Sequence, residues 1–305
     1  MPKTRWFKGN LHTHTTESDG DASPGHVAEW YREHGYDFLV LSDHNHLTVL
    51  EDAGSNPGKW PLLIPGEEVT SRLFNNTAPV HVNGIGLHSF VEPAHEESVL
   101  ETLQENVSRI VAAGGLASIN HPNYKWIINA GEIAATEGTW AMEVYNGHPI
   151  TNTFGGGGHL SAEAIWDLVL SSGRRVMGVA TDDSHHYVDE FSPQLANPGR
   201  GWVVVNAEKE SEDALMEAMR LGRFYASSGV AIYDMKSGRD EIVIEMAPYD
   251  TEKFTTVFRG VDGRKLATEE GQEVRFAPPK SELYVRATVY SSRGSMAWSQ
   301  PVFSG

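Results

Sequence analysis

The chain has no cysteine. That excludes disulfides, zinc ribbons and thiol chemistry, and leaves any metal site to nitrogen and oxygen ligands. Positive charge is also scarce: 24 Lys and Arg stand against 41 Asp and Glu, a formal net charge of −17 with histidine neutral. A surface of that sign repels nucleic-acid phosphates and anionic lipid, so neither is expected as a partner. No segment reaches the length of an apolar membrane span, and the opening Met1-Pro2-Lys3-Thr4-Arg5-Trp6 has no apolar run behind it. The expectation is a cytoplasmic protein acting on a small molecule.

Histidine, by contrast, is abundant, with fourteen in 305 residues, concentrated in the first two thirds. The first two lie in Leu11-His12-Thr13-His14-Thr15-Thr16-Glu17-Ser18-Asp19-Gly20. On extended backbone, residues two apart share a face, so His12 and His14 would present two imidazoles side by side. Asp19 follows in a loop closed by Gly20, from which a carboxylate can turn back toward them.

The same layout recurs. Ser23-Pro24 starts a helix that Gly35 ends, and the apolar run from Asp37 finishes in Ser42-Asp43-His44-Asn45-His46. The run from Leu62 ends in Glu67-Glu68, the strand around Val80 carries His81, and the run from Leu116 ends in Asn120-His121-Pro122. A helix from about Glu96 to Ala113, a strand from Trp140 to Asn146 and a helix from about Ala162 to Leu170 follow. The strand from Val176 then ends in Thr181-Asp182-Asp183-Ser184-His185-His186, and a last strand-helix pair spans Gly201 to Gly222. Strands alternating with helices predict a mostly parallel sheet with its polar strand ends at one rim. A barrel places every carboxyl end on the same face, and no glycine fingerprint supports the alternative of an open dinucleotide-binding sheet. From about Val230 short alternating segments separated by turns predict a small antiparallel β domain.

The strand-end donors are His12, His14, Asp19, His44, Glu68, His81, His121, Asp183 and His185. Nine donors exceed what one catalytic ion takes and suit two or three divalent ions; imidazole and carboxylate fit Zn, Mn or Fe alike. In this ordered set of motifs the sequence resembles the polymerase and histidinol phosphatase (PHP) family of metallohydrolases. Gly9-Asn10, Trp166-Asp167, Asp182-Asp183, the stretch 222–229 and Ala297-Trp298-Ser299-Gln300-Pro301 look like the branch that includes carbaryl hydrolase.

The resemblance implies an α/β fold, a distorted (βα)7 barrel over residues 1–229, with the antiparallel β domain over 230–305. It implies a trinuclear site. One ion would take His12, His14, Glu68 and Asp183, a second would share Glu68 and add His81 and His121, and a third would take Asp19, His44 and His185. The family pattern picks Glu68 over Glu67 and Asp183 over Asp182, and catalysis falls to Glu68, Asp183 and His185. The implied activity is hydrolysis of small phosphate esters by a metal-bridging hydroxide. The alternatives are a carbamate, ester or amide hydrolase on the same ions, or a silent metal-binding module. A polymerase-associated exonuclease fits poorly with the charge.

Substrate contacts are expected among Arg72, Asn123, Tyr145, His148 and Arg200, with Asn120, Lys125, Asn146 and His186 nearby. Arg or Lys at the rim would clamp an anionic substrate. Asp43 and Asp182 are candidates to orient ligand histidines. Gly155-Gly156-Gly157-Gly158 reads as a loop, since it lacks the Gly-Lys-Ser/Thr ending of a phosphate cradle.

Overall fold

The computed structural model describes residues 4–50, 58–73, 79–189, 191–247 and 251–304. Met1 to Lys3, part of the amino-terminal stretch considered above, lie outside them. β1 (Arg5–Asn10) and β2 (Phe38–Leu39) run parallel, connected through α1 (Pro24–Glu33). Proline in its first turn, a Ser23 side chain that accepts from the His26 N–H, and Gly35 at φ +73° set the ends of α1. Phe38 to Leu41 are all buried, as their unbroken apolar run predicts.

The run from Leu62 does not carry through to Glu68. It breaks at Pro65, which has no N–H to give a ladder, leaving β3 (Leu62–Leu63) beside β2 and a separate β4 (Gly66–Arg72). β5 (Pro79–Ile85) is antiparallel to β4 and, after α2 (Val99–Ala112), to β6 (Leu116–Ile119). Only residues 73–78 connect β4 to β5, too few for the crossover that a parallel pair needs. α3 (Ala130–Ala135), β7 (Ala141–Asn146), α4 (Ala162–Ser171) and β8 (Met177–Thr181) restore the alternation, and β6, β7 and β8 are parallel. β4 to β8 form one five-stranded sheet.

β9 (Trp202–Ala207) returns antiparallel to β1, and after α5 (Glu212–Arg220) β10 (Phe224–Ser227) pairs antiparallel with β9. The remaining strands are β11 (Ile232–Ser237), β12 (Ile242–Met246), β13 (Phe254–Arg259), β14 (Lys265–Glu270), β15 (Glu273–Phe276), β16 (Tyr284–Ser291), β17 (Met296–Ser299) and β18 (Val302–Phe303). β14, β13, β16 and β17 extend the sheet of β10, β9, β1, β2 and β3 in that order; β11, β12 and β15 form a second small sheet. Ile242, Ile244, Phe258, Val274, Ala287 and Val289 are buried in one cluster between them.

Neither large sheet closes on itself. Isolated parallel bridges, Thr13 to Ser184 and His44 to Glu68, join the two sheets at one rim. The architecture is mixed α/β, richer in strands than a regular barrel of seven βα units, with β5 and β9 reversed against the expected parallel order. Among the described residues no helix is long and apolar enough to cross a membrane.

Candidate metal centre

His12 and His14 lie just past β1, on extended backbone held from both sides. The His14 N–H donates to the Ser184 carbonyl and the Ser42 N–H to that of Thr13. Both imidazoles are buried, with their Nε2 atoms 3.1 Å apart. The following loop is folded back by Asp43, which accepts from the Thr15 N–H at 2.7 Å, the Thr15 hydroxyl at 2.8 Å and the Ser18 hydroxyl at 2.6 Å. Gly20 closes it where a Cβ would come within 2.7 Å of the His14 carbonyl oxygen. Asp19 thereby stands 3.2 Å from His185 Nε2 and 3.6 Å from His44 Nε2.

Glu68 is at the centre. It is fully buried, and five imidazoles reach its carboxylate: His12 at 3.3 Å, His14 at 3.5 Å, His44 at 2.6 Å, His81 at 3.0 Å and His121 at 3.5 Å. Burial would raise its pKa, but the charges of His44, His81 and His12 hold it well below the usual carboxylate range. Asp183 is held down in the same way, its burial outweighed by His12, His14 and His185. His81 comes from the start of β5, because that strand runs backwards, while His121 and Asp183 follow the ends of β6 and β8. His121 and Asp183 take φ +22° and +49°, left-handed turns that bring their side chains in at the strand ends.

Four overlapping groups have ligand atoms within 4.8 Å of one another: His14, Asp19, His44 and His185; His12, His121 and Asp183; His12, His14 and Glu68; and His44, Glu68 and His81. Together they take in all nine donors singled out in the sequence. Despite the short distances, Glu68 Oε2 and His81 Nδ1 are buried without a hydrogen-bond partner among the described residues. His44 Nδ1 bonds Thr70 Oγ1 at 2.6 Å instead. Two imidazole nitrogens facing each other beside carboxylates are repulsive unless they share a positive charge, and orphaned acceptors add to that cost. The donor set therefore fits cations.

Glu143, which did not stand out in the sequence, completes the support. Buried on β7, it accepts from Thr181 Oγ1 at 2.6 Å, Asn146 Nδ2 at 2.8 Å and the His121 N–H at 2.6 Å, and pairs with His12 Nδ1 at 2.7 Å. Its signal was a lone carboxylate in the apolar run Ala141-Met142-Glu143-Val144. Asn120 donates to Glu68 Oε1 at 2.7 Å, and Asn146 to Asp183 Oδ2 at 3.1 Å. Asp43 and Asp182 have a different job from the one expected: neither carboxylate bonds a ligand histidine. Asp182 accepts from the N–H groups of Gly199, Arg200 and Gly201, and from Asn10 and Tyr31.

A cavity of about 320 Å³ opens onto Asp19, His44, Glu68, His81, Asp183 and His185. No Lys or Arg is among the described residues that line it, so the anticipated cationic clamp is not built there. Arg72 is exposed on β4, where its backbone meets His95. The Arg200 guanidinium is engaged with the Gly147 and Ser192 carbonyls and Asn197 Oδ1. Asn123 gives its amide to the Asn152 and Leu160 carbonyls, and Lys125 Nζ lies 5.2 Å over the Tyr124 ring. His148 and His186 line the cavity, and Tyr145 lines a neighbouring one. Burial lowers the His148 pKa to about 4, so this imidazole is neutral near pH 7.

The sequence matches no protein-family model and no curated protein. Among solved structures, a two-domain protein from Bacteroides vulgatus containing a predicted PHP-like metal-dependent phosphoesterase superposes with a TM-score of 0.54 at 15% identity. An amidohydrolase from Chromobacterium violaceum gives 0.41 at 16%, covering 62% of this chain and 93% of that one. A lesion-specific endonuclease from Pyrococcus furiosus gives 0.43 at 13%, covering 72% and 56%. The first likeness takes in 97% of this chain and 87% of the other, so the two proteins share a fold over nearly their whole lengths.

Proposed function

We propose that the chain is a metal-dependent hydrolase of small phosphate esters. The observation that supports this most is Glu68, one buried carboxylate within 3.5 Å of five imidazoles, an arrangement suited to a ligand shared between cations. His12, His14, Glu68 and Asp183 would hold one ion, Glu68, His81 and His121 a second, and Asp19, His44 and His185 a third. Divalent ions bound there would lower the pKa of a water and polarise a phosphoryl oxygen.

The chain's own residues position and exclude. Glu143 fixes the His12 ring through Nδ1, which leaves Nε2 for the ion. Asn120 fixes the shared carboxylate of Glu68, and Asn146 that of Asp183. His148 Nδ1 accepts from the Ile150 N–H, so its neutral ring carries the proton on Nε2 and offers a donor to a substrate oxygen. The absence of Lys and Arg from the described lining supports a second reading, a carbamate or ester hydrolase, because a neutral carbonyl needs no cationic clamp.

Metal analysis and a panel of phosphate mono- and diesters and aryl carbamates test both. Two or more ions per chain and turnover of phosphate esters are expected, with both lost in Glu68→Gln while the far-ultraviolet circular dichroism is kept. Turnover of carbamates alone would favour the second reading. Fewer than two ions in a normally folded chain would favour a binding module.

A further inference from the structure

Beside the cation cluster lies a set of buried hydroxyls that the site chemistry described so far does not use. Thr13 stands between His12 and His14, and Ser184 between Asp183 and His185. Both are fully buried, and their side chains meet each other, Thr13 Oγ1 lying 2.7 Å from Ser184 Oγ. The hydroxyl of the buried Tyr187 lies 2.5 Å from each of them. We propose that Tyr187 is a positioning residue for the metal centre. Through Thr13 and Ser184 it locks the two ligand-bearing segments against each other, so that His12, His14 and Asp183 converge before an ion arrives. The proposal rests on the metal-binding part of the hydrolase reading, and not on which ester is cleaved.

Counting protons gives these hydroxyls a direction. The Tyr31 hydroxyl donates its one proton to Asp182 Oδ2 at 2.7 Å and accepts from Asn10 Nδ2 at 2.6 Å. Ser184 Oγ, 2.9 Å from the Tyr31 oxygen, is therefore the donor of that pair. With its proton spent, Ser184 accepts from Thr13, and Thr13 in turn accepts from Tyr187. The chain runs from Tyr187 through Thr13, Ser184 and Tyr31 and ends on the Asp182 carboxylate, which is itself fixed by the N–H groups of Gly199, Arg200 and Gly201. Successive hydroxyls that donate in one direction polarise one another, which strengthens each link in a dry interior.

Tyr187 heads this chain and is itself held from outside it. Its N–H donates to Asp21 Oδ1 at 2.8 Å, and its ring packs beside Trp30 and Tyr31, each at 6.3 Å between centroids. The pair it clamps is flanked by two backbone bonds, from the His14 N–H to the Ser184 carbonyl and from the Asp183 N–H to the His12 carbonyl. On the ligand side, His12 Nε2 and His14 Nε2 stand 3.2 and 3.3 Å from the same Asp183 oxygen. A slip of about 0.5 Å between the two segments would spoil that convergence, which is the tolerance a metal site allows. Because the Tyr187 hydroxyl acts only as a donor here, phenylalanine in its place strands no proton and should leave the fold intact.

The test uses the full chain, stripped of metal and titrated with Mn or Co against a chromophoric chelator. Tyr187→Phe is expected to lower the affinity about tenfold and to shift the visible absorption of the Co-loaded protein. In the metal-free protein it should speed exchange of the His14 amide, which donates to the Ser184 carbonyl. Thr13→Val should act alike, and the two changes together should do little more than either alone, whereas Thr13→Ser keeps the hydroxyl and should keep the wild-type values. Tyr36→Phe is the control: Tyr36 packs on Tyr31, and its buried hydroxyl has no hydrogen-bond partner among the described residues, so none of the three readouts should move. Wild-type affinity and absorption in Tyr187→Phe, whatever its exchange rate, would reduce Tyr187 to a structural role and overturn the proposal. Equal losses in Thr13→Ser and Thr13→Val would overturn it too. A wild type that binds no ion would bring down the metal reading and the proposal together. The expected pattern of affinities in a protein that cleaves no ester would sink the hydrolase reading alone and leave the positioning role standing.

Discussion

Glu67 and Glu68 are neighbours with opposite fates, because a strand turns successive side chains to opposite faces. Glu68 enters the ring of histidines; Glu67 accepts the Val91 N–H on the other side of β4, where burial pushes its carboxyl up to about 7. Asp182 and Asp183 divide too, past the end of β8 where Asp183 turns at φ +49°, one toward backbone N–H groups and one toward His12 and His14. Composition and spacing alone treat each pair as equivalent. Glu143 was harder still to foresee, since a carboxylate on β7 shows its purpose only when His12, from a distant strand end, arrives beside it. Its pairing with His12 Nδ1 makes a prediction. Glu143→Gln keeps the shape but loses the charge that orients and strengthens that imidazole. The affinity for Zn or Mn, measured by competition with a chromophoric chelator, should fall between about tenfold and a hundredfold. Unchanged affinity would show that His12 is held adequately by its backbone.

The elements legible in the sequence were those marked by their ends. Ser23, Ser161 and Ser211 cap the helices that follow them, the helix expected from about Glu96 starts instead at Val99 behind Ser98, and the apolar runs before His12, His44, His121 and Asp183 became strands or extended segments. Strand direction was not legible, because alternation of apolar residues reads the same both ways; hence the reversed β5. Nor was the link between α4 and β16. Arg286, fully buried, donates from Nε and Nη2 to both Asp167 oxygens at 2.7 and 2.6 Å, and from Nη1 to Glu163 at 2.9 Å, with Trp166 4.8 Å beneath the guanidinium. Arg286→Ala strands two carboxylates and should cost about 3–5 kcal/mol of unfolding free energy in urea. Burial raises the Glu163 pKa, but Arg286 and the Thr288 hydroxyl outweigh it and leave it lowered. A lowered folded value means that its contribution is complete above the unfolded pKa of about 4.5 and is lost as the pH falls below it. The difference in Tm between wild type and Glu163→Gln should therefore be constant near neutral pH and shrink below pH 4.5.

At the scale of the molecule, the donors straddle a seam. His12, His14, Asp19 and His44 belong to the side of β1 and β2, while Glu68, His81, His121 and Asp183 come from the five-stranded sheet. Among the described residues, two isolated bridges at the rim, Thr13 to Ser184 and His44 to Glu68, join the sheets by backbone pairing. Both bridges lie within one residue of a donor or are made by donors, so cations bound here would fasten the sheets where the ladders do not. A ligand that binds only the folded chain stabilises it by about 2.7 kcal/mol at a concentration one hundred times its Kd. Loading with Mn or Zn should therefore raise Tm by several degrees, and a chelator should reverse the rise. Hydrogen exchange gives the sharper readout. Protection should increase most at the amides of His14, Glu68 and Asp183, which donate across the seam to Ser184, Asp43 and His12. It should change least in β11, β12 and β15, which among the described residues make no ladder with either of the large sheets. A uniform rise in protection over all strands would mean that the metal stabilises the fold globally rather than through the seam. No rise at all in Tm or in protection would mean that the histidine cluster holds no ion.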